Sequence, residues 1–549
     1  MSLRNHGLAG GLAALLLLGP PAHAADDAAE KQSMEELRNT VINLLQALVD
    51  KGLLTREQAE QLVKQAQTKA AADAAALAAK NAAQAKEEEN AVRVPYVPQI
   101  VKDEISKQVA EEVKPAVVAD VVKEAKDEKW GVPGALPEWL SRVRVFGDVT
   151  VRYQGDIYPR DNSYQQILDY QAINTAGGLA NTTYPFLNTT DDRNRLRERA
   201  RLGVEANISP NLTAYIRLAS GSLVDPGSES QNFGTYGERW SVGFDQAYLV
   251  WNSSTRDKLS LDTLQGGRIP NPWFAPTELV YARDLTFEGV ANTLRFGWGG
   301  GGSDRSHVYL TLGGFPMMEI PLVNQDNKWV VGGQIGTNLR FADGADHVRF
   351  GLAYYDFLNV TGRQNASDST LLNYTAPTFV RNGNDMFDIS NIPGDPNLLY
   401  GLASKFRLVD IALNYEHNFS RYSVAVTGEG VRNIGYNIND VEALTQQTQP
   451  SQENKGYVGE VSFGNPIVDQ FGLWRAAVGY RYVKRDAVLD AWTDADFHEG
   501  GTNAEGYYFW GSFGLTKNTW VRLRYMSGNE IDGARYGLDI VQLDVNARF

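Results

Sequence analysis

The stretch RNRLRERARLGVEANISPN, from Arg193 to Asn211, places an arginine at every second position and then turns apolar. Arg193, Arg195, Arg197, Arg199 and Arg201 share one parity; Leu196, Ala200, Leu202, Val204, Ala206 and Ile208 share the other. A helix, with its period of 3.6, would scatter the arginines around its circumference. A strand gathers them on one face and the aliphatic residues on the opposite one. The stretch therefore reads as a strand whose two faces meet different surroundings.

Working outward, the same period-two texture runs from residue 141 to the end of the chain. It predicts sixteen strands, near 142–154, 193–208, 211–220, 240–251, 258–269, 284–298, 306–315, 328–341, 346–357, 406–416, 421–432, 455–464, 471–485, 506–516, 519–528 and 537–549. Each is about ten residues long, the length that crosses a bilayer at a tilt. Their connections alternate in length. SPN, NSSTRDK, GGGGSDR, ADGAD, HNFS, NPIVDQ and KN are tight links, and long polar excursions separate them. A soluble sandwich has no reason to gather its short turns at one end. An outer-membrane β-barrel does, with short periplasmic turns and long outside loops. The even strand number agrees. The last strand sets Val541, Leu543, Val545, Ala547 and Phe549 on one face and stops on an aromatic, resembling the signal by which barrels are selected for assembly.

The remaining composition fits export. Of 549 residues, 52 are Gly, 25 Tyr, 21 Phe and 11 Trp, and there is no cysteine, hence neither a disulfide framework nor a thiolate metal site. Mean hydropathy is −0.34, which excludes a polytopic helical membrane protein. The net charge of −14 argues against a nucleic-acid partner, which needs a basic field. The apolar run LAGGLAALLLLG, Leu8 to Gly19, follows Arg4 and ends in PPAHA, so residues 1–24 read as a signal peptide. Residues 25–90 read as a helical segment with Leu37, Val41, Leu44 and Leu48 on one stripe, followed by an Ala-rich spacer. That stripe wants a partner helix, in a short coiled coil or a folded-back hairpin. A periplasmic helix and linker occupy 91–140, and the barrel occupies 141–549.

In a barrel, Leu202, Val204 and Ala206 meet lipid and the arginines meet the lumen. One charged side chain facing lipid at the midplane costs about 2–4 kcal/mol, so five on one strand must point inward. Arg144 and Arg152 join them from the first strand and Arg217 from the third. Arg475 and Arg481, then Arg522 and Arg524, come from strands near the C-terminus. These twelve are the expected pore lining. The other view is that they are structural, paired to acids on adjacent strands. The aromatics Tyr153, Tyr248, Trp251, Trp298, Tyr354, Tyr415, Tyr482, Trp510, Trp520 and Tyr525 fall near strand ends and read as interface girdles, with a carbohydrate stack in the lumen as the alternative.

No enzymatic or cofactor motif emerges: six scattered histidines form no metal pair, and no nucleophile elbow or phosphate loop is present. The acidic loop DAWTDADFHEGG, with Asp490, Asp494, Asp496 and Glu499, is the best metal candidate, but its spacing is not that of a calcium loop. No metal site is expected.

Three passages resemble the putative-porin family of Gram-negative outer membranes: GGRIPNPWFAPTELVYARDLTFEGVA (Gly266 to Ala291), YRYVKRDAVLDAWTDADFHEGGTNAEGY (Tyr480 to Tyr507), and VPYVPQIVKDEI leading to LPEWLSRVRVFGDVTVRY. The resemblance covers about Val92 to Phe549. It implies a passive outer-membrane channel with a periplasmic helical extension, and a third outside loop folded inward. Glu278, Arg283 and Asp284 would then form the constriction. It also implies a homotrimer. The expected function is diffusion of small hydrophilic solutes with anions favoured; the alternative is a structural anchor tethering the envelope through the N-terminal helices.

Overall fold

The computed structural model describes residues 142–254, 260–298, 306–341, 345–394 and 396–549. The expected signal peptide, the Leu-striped helix, the spacer and the helix of 91–140 lie outside the described residues, and with them the coiled-coil and tethering expectations.

The sixteen long strands form one closed antiparallel barrel. They are β1 (Val143–Ile157), β2 (Arg193–Ser209), β3 (Leu212–Ser220), β4 (Val242–Ser254), β5 (Ser260–Pro270), β6 (Thr286–Trp298), β7 (Ser306–Met318) and β8 (Lys328–Phe341). The second half comprises β9 (Asp346–Leu358), β10 (Phe406–Phe419), β11 (Tyr422–Asn433), β12 (Lys455–Gly464), β13 (Trp474–Val483), β14 (Ala504–Thr516), β15 (Thr519–Glu530) and β16 (Gly537–Arg548). Each pairs with its chain neighbour, and β1 closes on β16 with Val149 opposite Ala547 and Val151 opposite Val545. Phe549 and Gly147 exchange two backbone hydrogen bonds at 3.0 and 3.1 Å, which zips the seam to its end.

Expected and observed strands agree within a few residues. The largest change in length is at 471–485, which shortens to Trp474–Val483. Lys484 leaves the sheet because its ammonium is buried against Glu453 at 2.8 Å. Outward positions are apolar and exposed, as with Leu196, Leu202 and Val204 on β2 and Leu543 and Val545 on β16. A closed sheet with a greasy exterior leaves no unpaired edge in lipid.

Three of the expected girdle aromatics are corrected. Tyr248 stacks on Tyr215 at 4.9 Å inside the barrel, Trp510 donates to Glu460 at 2.9 Å, and Trp520 lines an interior void beside Arg522. Trp520 shares the parity of Arg522 and Arg524, and Trp510 that of Ser512, so alternation sends both inward.

The long connections all emerge at one end: L1 (158–192), L2 (221–241), L3 (271–285), L4 (319–327), L5 (359–405), L6 (434–454), L7 (484–503) and L8 (531–536). A core sits inside the barrel, where Trp273 of L3 packs edge-on against Phe287, Phe315 and Tyr355, with centroids 4.8–5.4 Å apart, and stacks on Tyr281 at 5.5 Å. Room for it comes from Gly332. A Cβ there would lie 2.7 Å from the Tyr355 ring and 3.1 Å from the Trp273 ring.

Candidate functional site

L3 begins where Pro270 and Pro272 stop β5, because proline cannot continue the ladder. The Asn271 side chain accepts from the Trp273 backbone N–H at 3.0 Å, turning the chain inward. The loop then crosses the lumen, tied to successive walls. Phe274 exchanges two bonds with the Gln334 side chain of β8, at 2.7 and 2.9 Å. Thr277 donates its N–H to Glu429 of β11 at 3.1 Å. The Glu278 carbonyl accepts from Arg481 of β13 at 3.2 Å. Asp284 finally reaches β2, where Arg199 donates to it at 3.2 Å. L7 folds in beside it: Trp492 accepts from the Ala282 N–H at 2.6 Å, and Asp494 donates its N–H to the Glu278 carbonyl at 3.1 Å.

L3 and L7 leave two interior voids, of about 730 and about 1090 Å³. Both are lined by Glu278, Arg283, Arg522 and Arg524, so these side chains stand at the junction. Arg283 pairs with Glu278 at 3.2 Å, yet 64 % of its side chain stays exposed. Asp284 lies beneath, on the arginines of β2.

Most of the expected lining arginines meet acids. Arg144 is near Glu205 at 3.9 Å, toward the short-turn end. Arg152 binds Asp544 and Asp496 at 2.7 and 2.9 Å. Arg193 and Arg195 reach Glu499, and Arg195 also pairs with Asp156. Arg199 and Arg201 share Asp148 and Asp284. Arg217 pairs with Asp245 and Glu229, Arg475 with Glu416 at 3.3 Å, Arg481 with Asp494 at 3.9 Å, and Arg524 with Asp496 at 2.8 Å.

Two differ. Arg197 is bonded to Gln154 and weakly to Ser228, and Arg522 to Ser512, with its guanidinium over the Trp510 ring at 4.8 Å. Neither has an ion-pair acid among the described residues. Arg197 also stands directly opposite Arg152 across β1 and β2, a like-charge pair. Asp496 relieves it from L7. Burial penalises the Asp496 charge, but Arg152, Arg524 and Arg197 outweigh that and hold its carboxyl well below the usual range.

Other loop acids move the opposite way. Glu229 of L2 lies between Arg201 and Arg217, each at 3.4 Å. Burial, Asp284 and Asp245 nevertheless push it up to about 9. Burial likewise raises Glu278 against the opposing pull of Arg283, and raises Glu499 against that of Arg195.

The acidic loop proves not to be one cluster. Asp490 accepts from the Arg381 N–H at 3.1 Å, while Asp494, Asp496 and Glu499 each go to different arginines. Among the described residues no group of three ligands could hold a metal. Sequence reasoning missed Trp510, Trp520 and Trp273 as interior groups. Strand parity would have found the first two.

A family model described as "Putative porin" matches residues 38–549. Three solved structures are similar at low identity. The outer membrane channel DcaP of Acinetobacter baumannii is 11 % identical, over 74 % of this chain and 97 % of that one, with a TM-score of 0.38. OprB of Pseudomonas putida at high pH is 10 % identical over 77 % and 97 %, with a TM-score of 0.41. OmpF of Salmonella typhi in complex with daunomycin is 12 % identical over 74 % and 97 %, with a TM-score of 0.36. Among curated proteins none matches by sequence.

Proposed function

Because the chain belongs to the putative-porin family, we propose that it is an outer-membrane channel passing small hydrophilic solutes by diffusion, with anions favoured. The observation that carries this reading is L3 crossing a closed barrel and leaving interior voids lined by guanidiniums. Such a channel needs weak, multiple contacts, so that a solute enters readily and leaves readily. Arg197, Arg522 and the exposed Arg283 provide cationic donors with spare capacity. The paired arginines act mainly as scaffold, fixing L3 and L7 to the wall. Charge on facing surfaces orients dipolar solutes through the junction.

We extend the reading to a homotrimer. Gly314 and Gly333 flatten the outer wall of β7 and β8 beside Leu312 and Val331, in a shallow groove suited to a second barrel. The domain boundaries at 24, 90 and 140 and the periplasmic placement of the helices belong to the same proposal.

Refolded protein in planar bilayers tests the channel. Discrete conductance steps, together with swelling of liposomes by small sugars, are expected. Sealed membranes that stay silent after confirmed insertion would exclude it.

A further inference from the structure

Away from the arginine wall, a second crevice of about 1040 Å³ opens between L5, L7 and the loop ends of β6, β7 and β8. Lys328, the first residue of β8, lines it at 6 % exposure. Its ammonium donates to the Thr375 carbonyl at 3.2 Å and has no carboxylate within ion-pair distance among the described residues. An ammonium carries three donors, and burying its charge without a counter-ion is costly. The contrast with Lys484 is direct. That lysine, at 7 % exposure, is bonded to both Glu453 and Ser451. The protein neutralises one buried lysine internally and leaves the other facing a cavity.

The cavity lining is mixed, polar and apolar in nearly equal shares. Phe287 and Phe315 form its floor, and Met317, Phe379 and Trp492 its partly exposed walls. Its other charges do not oppose an anion. Arg268 is paired with Glu288, and burial pushes Asp490 up to about 7, so below neutrality that carboxyl holds its proton. A small inorganic anion would use Lys328 but gain nothing from aromatic walls; a neutral hydrocarbon would use the walls and leave the ammonium unpaired. Only a solute with both features satisfies the site.

We propose that this crevice binds an apolar carboxylate, its anionic head on Lys328 and its hydrocarbon body against Phe379, Met317 and Trp492. The site lies at the loop end, apart from the voids lined by Arg522, so it captures solute before the constriction. It does not depend on the channel reading, because binding is measured without current.

The test is calorimetric titration of the detergent-refolded full chain at pH 6 with 3-phenylpropionate, and with 3-phenylpropanol as its uncharged counterpart. The wild type is expected to bind the carboxylate about tenfold tighter than the alcohol, as a charge-assisted hydrogen bond implies. Lys328→Met, which keeps the side-chain length, is expected to erase that preference, with β-sheet circular dichroism reporting whether it folds. Phe379→Ala is expected to weaken both ligands in a chain that retains the lysine. A wild type with no preference for the carboxylate, or a folded Lys328→Met that keeps it, overturns the proposal. So does a Phe379→Ala variant that binds both ligands as the wild type does.

Discussion

From β6 to β9 the inner wall presents Phe287, Phe315, Gly332 and Tyr355, and Trp273 descends onto them. From β13 round the seam to β2 it presents Arg481, Arg522, Arg524, Arg152 and Arg199, and L3 meets them with Glu278, Arg283 and Asp284. One loop thus has an apolar root and a charged tip. The root is held by dispersion and by expulsion of water, which need no exact angle. The tip is held by ion pairs whose strength depends on pH and screening. Barrel closure fixes both walls, and the two voids at the junction lie against the charged one.

The sharpest way to break this contrast is to remove the root. Trp273→Ala deletes a nearly fully buried indole and is expected to cost about 3–5 kcal/mol of stability, read by urea unfolding. Single-channel conductance should rise as L3 loses its hold on the β6–β9 wall. Unchanged conductance would mean that the charged tip alone positions the loop.

Asp496→Asn attacks the other half. It leaves Arg152 and Arg524 without the acid they share. With the Asp496 side chain 21 % exposed, solvent recovers part of the loss, so about 1–3 kcal/mol is expected. A shifted urea midpoint at unchanged slope is the expected signature, and no shift would place these pairs among the dispensable ones.

A smaller effect concerns charge alone. With Glu229 pushed up to about 9, the arginine wall is expected to have more net positive charge at pH 7 than at pH 10. Anion preference should fall as pH passes through that region, and Glu229→Gln should flatten the profile near its neutral-pH value. A wild-type preference that strengthens with rising pH would reverse the assignment.

The two walls also differ in how far the sequence reveals them. On β2 every second residue is Arg, and a charge can face only one of the two solvents, so parity reads off strand, face and lumen together. On β6 apolar residues stand on both faces: Phe287 and Ala291 point in while Val290 and Phe296 point out. Alternation there marks a strand without telling its faces apart, and the aromatic floor stays hidden. L3 itself was legible only through its prolines and the family resemblance. The bonds that route it across the lumen run to Gln334, Glu429 and Arg481, residues 60, 152 and 203 positions away. No local pattern encodes such partners. The ion pairing of the arginines was hidden for the same reason, since Asp284 and Asp496 arrive from loops.

The most direct test of the central claim is the zero-current potential of the refolded wild type across a steep KCl gradient, beside Arg522→Gln. The wild type is expected to give a potential of the sign set by chloride. In the variant a shift toward zero of about two- to fivefold in permeability ratio is expected, the effect of removing one screened charge from the lining. A potential of the sign set by potassium in the wild type, or no shift on removing Arg522, would contradict that claim.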